Sequence, residues 1–318
     1  MNLLLAGDLD EAERTDWAAA LRQALPAHRL LLQRGEVPDA DIDAAIVANP
    51  PPGSLQGLPR LRLIQSLWAG VDRLLADTTL PAGVPVARMV DPAMNEAMAE
   101  TALWATLALH RGFFTYAAHQ RAGRWLPHAQ RRADEVPVLV LGFGQMGRAT
   151  ARRLAQQSYP VTVWRRSAPA VTDAAPPLPG VVVLQGADAL YRALATTQVL
   201  VNLLPLTADT RGLINAPLLA NLPAGAGVVN LARGAHVVDA DLLAALDSGH
   251  VSHAVLDVFH TEPLPTDHRY WAHPQVTVLP HAAAMTDARS AAAVVSANIE
   301  ALAAGRPLVN LVLTGRGY

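Results

Sequence analysis

Short apolar runs alternate with helical patterns along almost the whole chain, and this alternation restricts the possible folds more than any other feature. The runs form two groups, residues 3–6, 44–47, 61–64 and 84–87, and then residues 136–141, 160–164, 181–184, 199–204, 227–231, 253–258 and 276–279. Such alternation is typical of βαβ units around parallel sheets. A chain of 318 residues is long enough for two such domains, each with its own core.

A long Ala-rich stretch, residues 96–121, separates the two groups. It has an apolar stripe and few helix breakers, so it is predicted to form one long helix. The chain shows no internal repeat and no low-complexity linker.

Two residue types are absent, and their absence excludes several kinds of chemistry. All 25 basic residues are arginine, and no cysteine occurs. Without lysine there is no Schiff base and no P-loop lysine, and without cysteine there is no disulfide, thiolate nucleophile or cysteine zinc site. His250 and His253 are three residues apart but have no carboxylate partner at helical spacing, so we predict no metal site.

The charge and the hydropathy also exclude several partners. A net charge of -2 provides no basic field for nucleic acid or for an anionic membrane. No stretch stays apolar for long enough to span a bilayer. We therefore expect a cytoplasmic protein without a nucleic-acid or membrane partner.

A glycine pattern follows the first apolar run of the second group and precedes a helical segment. It consists of Gly142, Gly144 and Gly147, with Gln145 and Met146 between the last two glycines. Such glycines permit a tight turn and bring a pyrophosphate close to the N-terminus of the helix. Three glycines in a βα turn can also serve simple packing. The strand before them, the helix after them and the next strand favour a dinucleotide site.

The end of the next strand indicates which dinucleotide is bound. An NAD site places Asp or Glu there, about 20 residues after the glycines, to bind the adenine ribose. This chain has Trp164, Arg165, Arg166 and Ser167 at that point. Two guanidiniums and a hydroxyl suit the 2′-phosphate of NADPH, which we therefore expect to be preferred over NADH. The alternative is a solvated loop with ordinary surface arginines.

Four later segments carry a specific resemblance. In order they are residues 199–214, 229–239, 254–265 and 278–284, and they include Arg233-Gly234, Asp257, Glu262-Pro263 and Pro280-His281. Together they resemble the signature of the D-isomer-specific 2-hydroxyacid dehydrogenases. Residues 65–72 are similar to the substrate loop of that family. Within it, the chain looks most like the glyoxylate/hydroxypyruvate reductase A branch, through Trp68, residues 88–96, Trp125 and residues 316–318.

The resemblance implies a role for each residue of a catalytic triad. Arg233 would bind the substrate carboxylate and polarise the carbonyl, and His281 would donate the proton. Glu262 would stabilise the imidazolium of His281. The backbone N–H groups of Ala69 and Gly70 would complete the carboxylate site.

The resemblance also implies residues whose roles have two interpretations. Asp257 would close the nicotinamide site or simply cap a loop, and Trp68 and Trp125 would be either substrate-pocket walls or core aromatics. The expected cofactor-binding residues are Gly142, Gly144, Gln145, Met146, Gly147, Trp164, Arg165, Arg166, Ser167, Leu204, Pro205, Thr210, Ala232 and Asp257.

The fold implied by the resemblance is two doubly wound parallel-sheet α/β domains. A Rossmann NADP-binding domain, residues 98–281, is expected as an insertion in a flavodoxin-like substrate domain, residues 1–97 and 282–318. We expect the active site in the cleft between them, with closure excluding water. The long helix resembles the dimerisation arm of the family, so we expect a homodimer; the alternative is an internal hinge helix.

The expected reaction is NADPH-dependent reduction of glyoxylate to glycolate or of hydroxypyruvate to D-glycerate. A dehydrogenase for a bulkier 2-keto acid would share every catalytic residue. Formate dehydrogenase is disfavoured, because it pairs its histidine with glutamine where this chain has Glu262. A dinucleotide-sensing corepressor is an alternative of another class.

Overall fold

The structure is a computed structural model that describes residues 1–166 and 177–312. Ser167 and residues 316–318 therefore lie outside the described residues. The chain forms two compact units, Met1–Met94 with Thr286–Tyr318, and Asn95–Met285.

The elements alternate between strand and helix in both units. The strands are β1 (Asn2–Gly7), β2 (Arg29–Leu31), β3 (Ala44–Ala48), β4 (Ile64–Ser66), β5 (Val86–Ala87), β6 (Val138–Leu141), β7 (Val161–Arg165), β8 (Val181–Gln185), β9 (Val199–Asn202), β10 (Ala226–Asn230), β11 (Val251–Leu256) and β12 (Val276–Val278). The helices are α1 (Glu11–Ala24), α2 (Asp72–Leu75), α3 (Pro92–His110), α4 (Phe113–Arg121), α5 (Gln145–Gln156), α6 (Ala187–Leu194), α7 (Ala216–Ala220), α8 (Asp239–Asp247), α9 (Arg269–Ala272) and α10 (Ala288–Ala303).

The first unit contains a five-stranded parallel sheet in the order β2-β1-β3-β4-β5. This is the strand order of flavodoxin-like folds. All five residues of β3 are buried, as expected for a central parallel strand that is covered on both faces. Helix α1 packs against α10, and its N-terminus is closed by a capping box between Asp10 and Glu13.

The second unit contains a seven-stranded parallel sheet in the order β12-β11-β10-β9-β6-β7-β8. Alternate residues of β6 pack into two different hydrophobic cores. Leu139 and Leu141 belong to one core, and Val138 and Val140 belong to the other. Because successive side chains of a strand point to opposite faces, both faces of this sheet are covered. Together, the two sheets confirm the predicted fold class.

The strand order of the second sheet reverses between β6 and β9, so a topological switch point lies there. In doubly wound sheets, ligands bind in the crevice outside the carboxyl ends of the strands at such a point. The turn after β6 and the loop after β9 meet at this place, because the Leu203 N–H donates to the carbonyl oxygen of Leu141 at 2.8 Å.

The structure corrects two expectations about individual elements. The predicted single helix over residues 96–121 is two helices, because Gly112 adopts a left-handed φ of +67° between α3 and α4. The predicted strand at residues 61–64 begins only at Ile64. In the described part of the chain, no helix is both long and apolar enough to cross a membrane.

Candidate active site

The turn after β6 places Gly142, Gly144 and Gly147 at the switch point in two different environments. Gly142 has a φ of +104°, and a Cβ there would lie 2.7 Å from the Leu203 carbonyl oxygen. A Cβ on Gly147 would lie 2.1 Å from the Gly142 carbonyl oxygen. These two glycines are therefore required for packing of the turn.

Gly144 is different, because a Cβ there would have no neighbour within 4 Å. It precedes α5, and no side chain caps this helix terminus. The first N–H groups of a helix lack intrahelical partners and carry partial positive charge. The open space above Gly144 and the uncapped donors of Gln145 and Met146 fit a dinucleotide pyrophosphate.

The end of β7 places the predicted adenine-side residues in different environments. The Trp164 side chain is buried, and its indole N–H donates to the Gly186 carbonyl oxygen at 2.8 Å, so this ring belongs to the core. Nε of Arg165 is buried and has no hydrogen-bond partner in the described residues. Arg166 forms an ion pair with Asp209. No acidic residue ends β7, and the unsatisfied Arg165 nitrogen fits an added anion.

The loop after β9 is folded by its own polar groups. The Thr210 hydroxyl donates to the Pro205 carbonyl oxygen at 2.8 Å and accepts from the Thr207 N–H at 2.8 Å. Leu204 and Ala232 are both buried. These side chains shape the edge of the sheet, and the hydroxyl of Thr210 is already used inside the loop.

Three loops bring the predicted catalytic residues to the carboxyl edge of the same sheet. Arg233 follows β10, Glu262 follows β11 and His281 follows β12. The loops are in close contact, since a Cβ on Gly234 would lie only 2.0 Å from the Phe259 carbonyl carbon. Nδ1 of His281 lies 2.7 Å from Oε2 of Glu262. The other oxygen of Glu262 accepts the Phe259 N–H at 2.8 Å.

These contacts leave the second ring nitrogen of His281 available. The His281 side chain is 51% exposed, and no described residue hydrogen-bonds to its Nε2. The imidazole is therefore held through Nδ1 and offers Nε2 to a ligand.

The charges of the three residues act on one another. The hydrogen bond to Glu262 raises the pKa of His281; burial and the charge of Arg233 oppose this, and the charge of Glu262 reinforces it. Burial works to raise the pKa of Glu262, but hydrogen bonds from His281 and the Phe259 N–H outweigh it, and this pKa is lowered. Both shifts favour the charged form of the pair, an imidazolium beside a carboxylate.

Asp257 fixes the backbone that carries His281. It is almost fully buried, and its two carboxylate oxygens accept the N–H groups of Ala282 at 2.7 Å and Ala283 at 3.1 Å. The His281 N–H donates to the Asp257 carbonyl oxygen at 2.9 Å, and His281 has a left-handed φ of +55°. Burial raises the pKa of Asp257 despite these hydrogen bonds. The Asp257 carboxylate therefore caps the loop that carries His281, which is the second of the two roles considered for it.

The predicted substrate loop lies in the unit that contains β4. Ser66 closes the loop, since its hydroxyl accepts the Trp68 N–H at 3.0 Å. Trp68 packs edge-on against Trp17, with ring centroids 6.4 Å apart. Ala69 and Gly70 are half-buried, and neither N–H donates to another described residue.

Trp125 follows α4 and is 94% exposed. This contradicts the interpretation of Trp125 as a core aromatic. Across residues 1–166 and 177–312, no group of three or more His, Asp or Glu side chains is arranged to hold a metal ion.

The sequence reasoning missed two asparagines at this edge of the sheet, Asn202 and Asn230. Each is the last residue of its strand and is fully buried. A signal was present, because an asparagine ends the predicted apolar strand just before two of the predicted site loops, in Val-Asn-Leu at residues 201–203 and 229–231.

Comparisons with known proteins agree with this geometry. The family model described as D-isomer specific 2-hydroxyacid dehydrogenase, NAD binding domain, matches residues 103–283. Glyoxylate/hydroxypyruvate reductase A of Yersinia enterocolitica is 38% identical, with 100% of both chains covered.

Two solved structures are similar over the full length. A D-isomer specific 2-hydroxyacid dehydrogenase from Xanthobacter autotrophicus Py2, in complex with NADPH and MES, is 40% identical, has a TM-score of 0.93 and covers 100% of this chain and 99% of its own. An NADPH-dependent glyoxylate/hydroxypyruvate reductase from Sinorhizobium meliloti, in complex with NADP and sulfate, is 33% identical, has a TM-score of 0.90 and covers 100% of this chain and 99% of its own. With the glycine turn, the ordered Arg, Glu and His residues and the two parallel sheets, these matches show that the chain belongs to the D-isomer-specific 2-hydroxyacid dehydrogenase family.

Proposed function

We propose that this protein is an NADPH-dependent reductase of small 2-keto acids, which converts glyoxylate to glycolate or hydroxypyruvate to D-glycerate. The observation that carries the proposal is the His281–Glu262 pair, held beside Arg233 at the sheet edge that also bears the glycine turn. The similar proteins named glyoxylate/hydroxypyruvate reductase support the choice of substrate.

The proposed roles follow from the chemistry of reducing a keto acid. The bound dinucleotide supplies the hydride. Arg233 binds the carboxylate with its planar fork of donors and polarises the neighbouring carbonyl. Nε2 of the His281 imidazolium donates a proton to the carbonyl oxygen as negative charge develops there. Glu262 stabilises the imidazolium until the proton leaves.

Two further groups complete the proposed substrate site. The N–H groups of Ala69 and Gly70 donate to no described residue, and the proposal assigns them to the carboxylate of the keto acid. Such donors orient the substrate without changing the charge of the site.

The preference for NADPH rests on the end of β7. Arg165 and Arg166 stand where an NAD-binding chain places an acid, and an acid there would repel the 2′-phosphate. The two arginines are proposed to bind this phosphate, with Arg166 leaving Asp209 to do so. The relatives crystallised with NADPH and NADP support this assignment.

A homodimer is also part of the proposal. Large apolar side chains are exposed along α3, α4 and the segment that follows, namely Trp104, Phe113, Trp125 and Leu126. The proposal assigns these exposed side chains to the interface between the two chains. The mass measured by light scattering after size-exclusion chromatography should equal two chains. A cytoplasmic location stays a prediction from the sequence.

Measurement of turnover tests the function. NADPH oxidation should be followed with glyoxylate, hydroxypyruvate, pyruvate and phenylpyruvate, and repeated with NADH. We expect the first two acids to give the highest kcat/KM with NADPH, and His281→Ala to abolish turnover. Highest kcat/KM for phenylpyruvate would instead assign a bulkier substrate. Tight NADPH binding without turnover of any keto acid would favour the corepressor alternative.

A further inference from the structure

Asn202 and Asn230 form a buried amide pair at the carboxyl ends of two central strands. They are register partners in the sheet, and both side chains are fully buried. Nδ2 of Asn202 donates to Oδ1 of Asn230 at 2.9 Å. A buried amide group without a hydrogen-bond partner destabilises the fold, so removal of one asparagine leaves the amide of the other without one of its partners.

The orientation of each amide is fixed by backbone groups that can bond in only one way. The Leu204 N–H, which can only donate, bonds to Oδ1 of Asn202 at 3.2 Å. The Ala232 N–H bonds in the same way to Oδ1 of Asn230 at 3.3 Å. The carbonyl oxygen of Arg233, which can only accept, is bonded by Nδ2 of Asn230 at 2.9 Å. Neither amide can rotate without losing hydrogen bonds.

Asn230 thereby connects three loops of the proposed site. Its amide holds Ala232 and Arg233, its partner Asn202 holds Leu204, and its own carbonyl oxygen accepts the Asp257 N–H at 3.0 Å. Asp257 in turn fixes the loop of His281. Because the Asn230 side chain is fully buried, Asn230 acts through the residues that it positions.

We propose that Asn230, oriented by Asn202, is a positioning residue that fixes the backbone of Arg233 and thereby places its guanidinium against the substrate carboxylate. The inference rests on the proposed function for the role of Arg233. Because a displacement of about 1 Å in a catalytic group can reduce the rate about 100-fold, the position of this backbone matters for catalysis.

Two substitutions of Asn230 test the proposal. Asn230→Asp keeps the shape of the side chain but turns a carboxylate oxygen toward the Arg233 carbonyl oxygen, and Asn230→Ala removes every amide bond. For both, KM for the keto acid should rise and kcat should fall, so that kcat/KM decreases about 100-fold. The dissociation constant of NADPH, measured by calorimetry, should change by a smaller factor than KM for the keto acid. Asn202→Ala combined with Asn230→Ala should lose little more than Asn230→Ala alone, because the two amides act as one unit.

Thr197→Val is the matched control. It removes a buried hydrogen bond, which the Thr197 hydroxyl donates to the Ala193 carbonyl oxygen at 2.8 Å. Thr197 precedes the amino end of β9, whereas Asn202 lies at its carboxyl end. This variant should melt at a lower temperature but keep the wild-type KM for the keto acid. If the Asn230 variants behave like this control, with an unchanged KM, their role is structural and the proposal is wrong.

Crystal structures of the wild type and of Asn230→Asp, both without substrate, separate this inference from the proposed function. Displacement of residues 231–233 is expected whether or not any keto acid is turned over. An Arg233 in its wild-type position would overturn the inference even if the enzyme reduces glyoxylate. Absence of turnover by the wild type, together with a displaced Arg233, would reject only the proposed function.

Discussion

Nδ1 of His281 lies 2.7 Å from Oε2 of Glu262, and the Phe259 N–H fixes the opposite oxygen of the same carboxylate. This single contact joins the loops that follow β11 and β12. It determines which ring nitrogen remains available, and it keeps the imidazole protonated to higher pH than an isolated histidine would be.

The first prediction concerns pH. The pKa of His281 is raised, so its acid form persists to higher pH than that of an isolated histidine. We therefore expect kcat/KM for reduction to fall as pH rises through this pKa. In Glu262→Gln the pKa of His281 falls, the loss of activity moves to lower pH, and activity decreases more at pH 8 than at pH 6. A pH profile of kcat/KM measures this. Glu300→Gln, which alters a second His–Glu pair with His28, should leave the profile unchanged; identical profiles for Glu262→Gln and the wild type would contradict the role of Glu262.

The second prediction separates two glycines of the same motif. Gly147→Ala places a Cβ 2.1 Å from the Gly142 carbonyl oxygen and should reduce the free energy of unfolding by about 1–3 kcal/mol. Gly144→Ala meets no atom within 4 Å and has a φ of -72°, so the melting temperature should not change. Its methyl group occupies the proposed pyrophosphate site, so NADPH should bind about 10-fold more weakly, or about 1.4 kcal/mol. Wild-type affinity of Gly144→Ala would place the pyrophosphate elsewhere.

The third prediction concerns cofactor preference. Arg165→Asp combined with Arg166→Ala should weaken NADPH binding at least about 100-fold, because each of the two charge-assisted hydrogen bonds that are lost contributes about 1.5–3 kcal/mol. Binding of NADH should change little. Dissociation constants of both dinucleotides for this variant, and for the exposed control Arg192→Ala, provide the comparison. Equal weakening of NADPH and NADH would show that the arginines do not recognise the 2′-phosphate.

The fourth prediction concerns stability. His253 is buried, stacks on Phe114 with ring centroids 4.0 Å apart, and forms a hydrogen bond with Thr277. Burial, with a smaller contribution from the charge of His273, lowers the pKa of His253 to about 4. A histidine with a lowered pKa stabilises the fold above the pKa of the unfolded chain, and this contribution is lost as pH falls toward the folded value. Between pH 7 and pH 5 the free energy of unfolding should decrease by about 2 kcal/mol through this residue.

Urea unfolding at the two pH values measures this loss. His253→Phe should remove most of the pH dependence, whereas the half-exposed control His260→Gln should retain it. An unchanged pH dependence in His253→Phe would show that other groups control acid stability.

The sequence by itself determined the fold class and the glycine turn, and its resemblance to the family predicted the proposed catalytic residues. Each of these depends on a local pattern: the alternation of apolar runs, the Gly-x-Gly-x-x-Gly spacing and the ordered segments around Arg233, Glu262 and His281. Such patterns are present in the chain before any long-range contact forms.

Only the tertiary structure decided how individual side chains are used, because their partners lie in distant segments. The helix predicted over residues 96–121 divides at Gly112, where His128 leaves no room for a Cβ. The Trp164 ring turns into the core, and the Asp257 carboxylate holds the His281 loop. The Asn202–Asn230 pair forms across adjacent strands, because a parallel sheet aligns the ends of strands that are far apart in the chain.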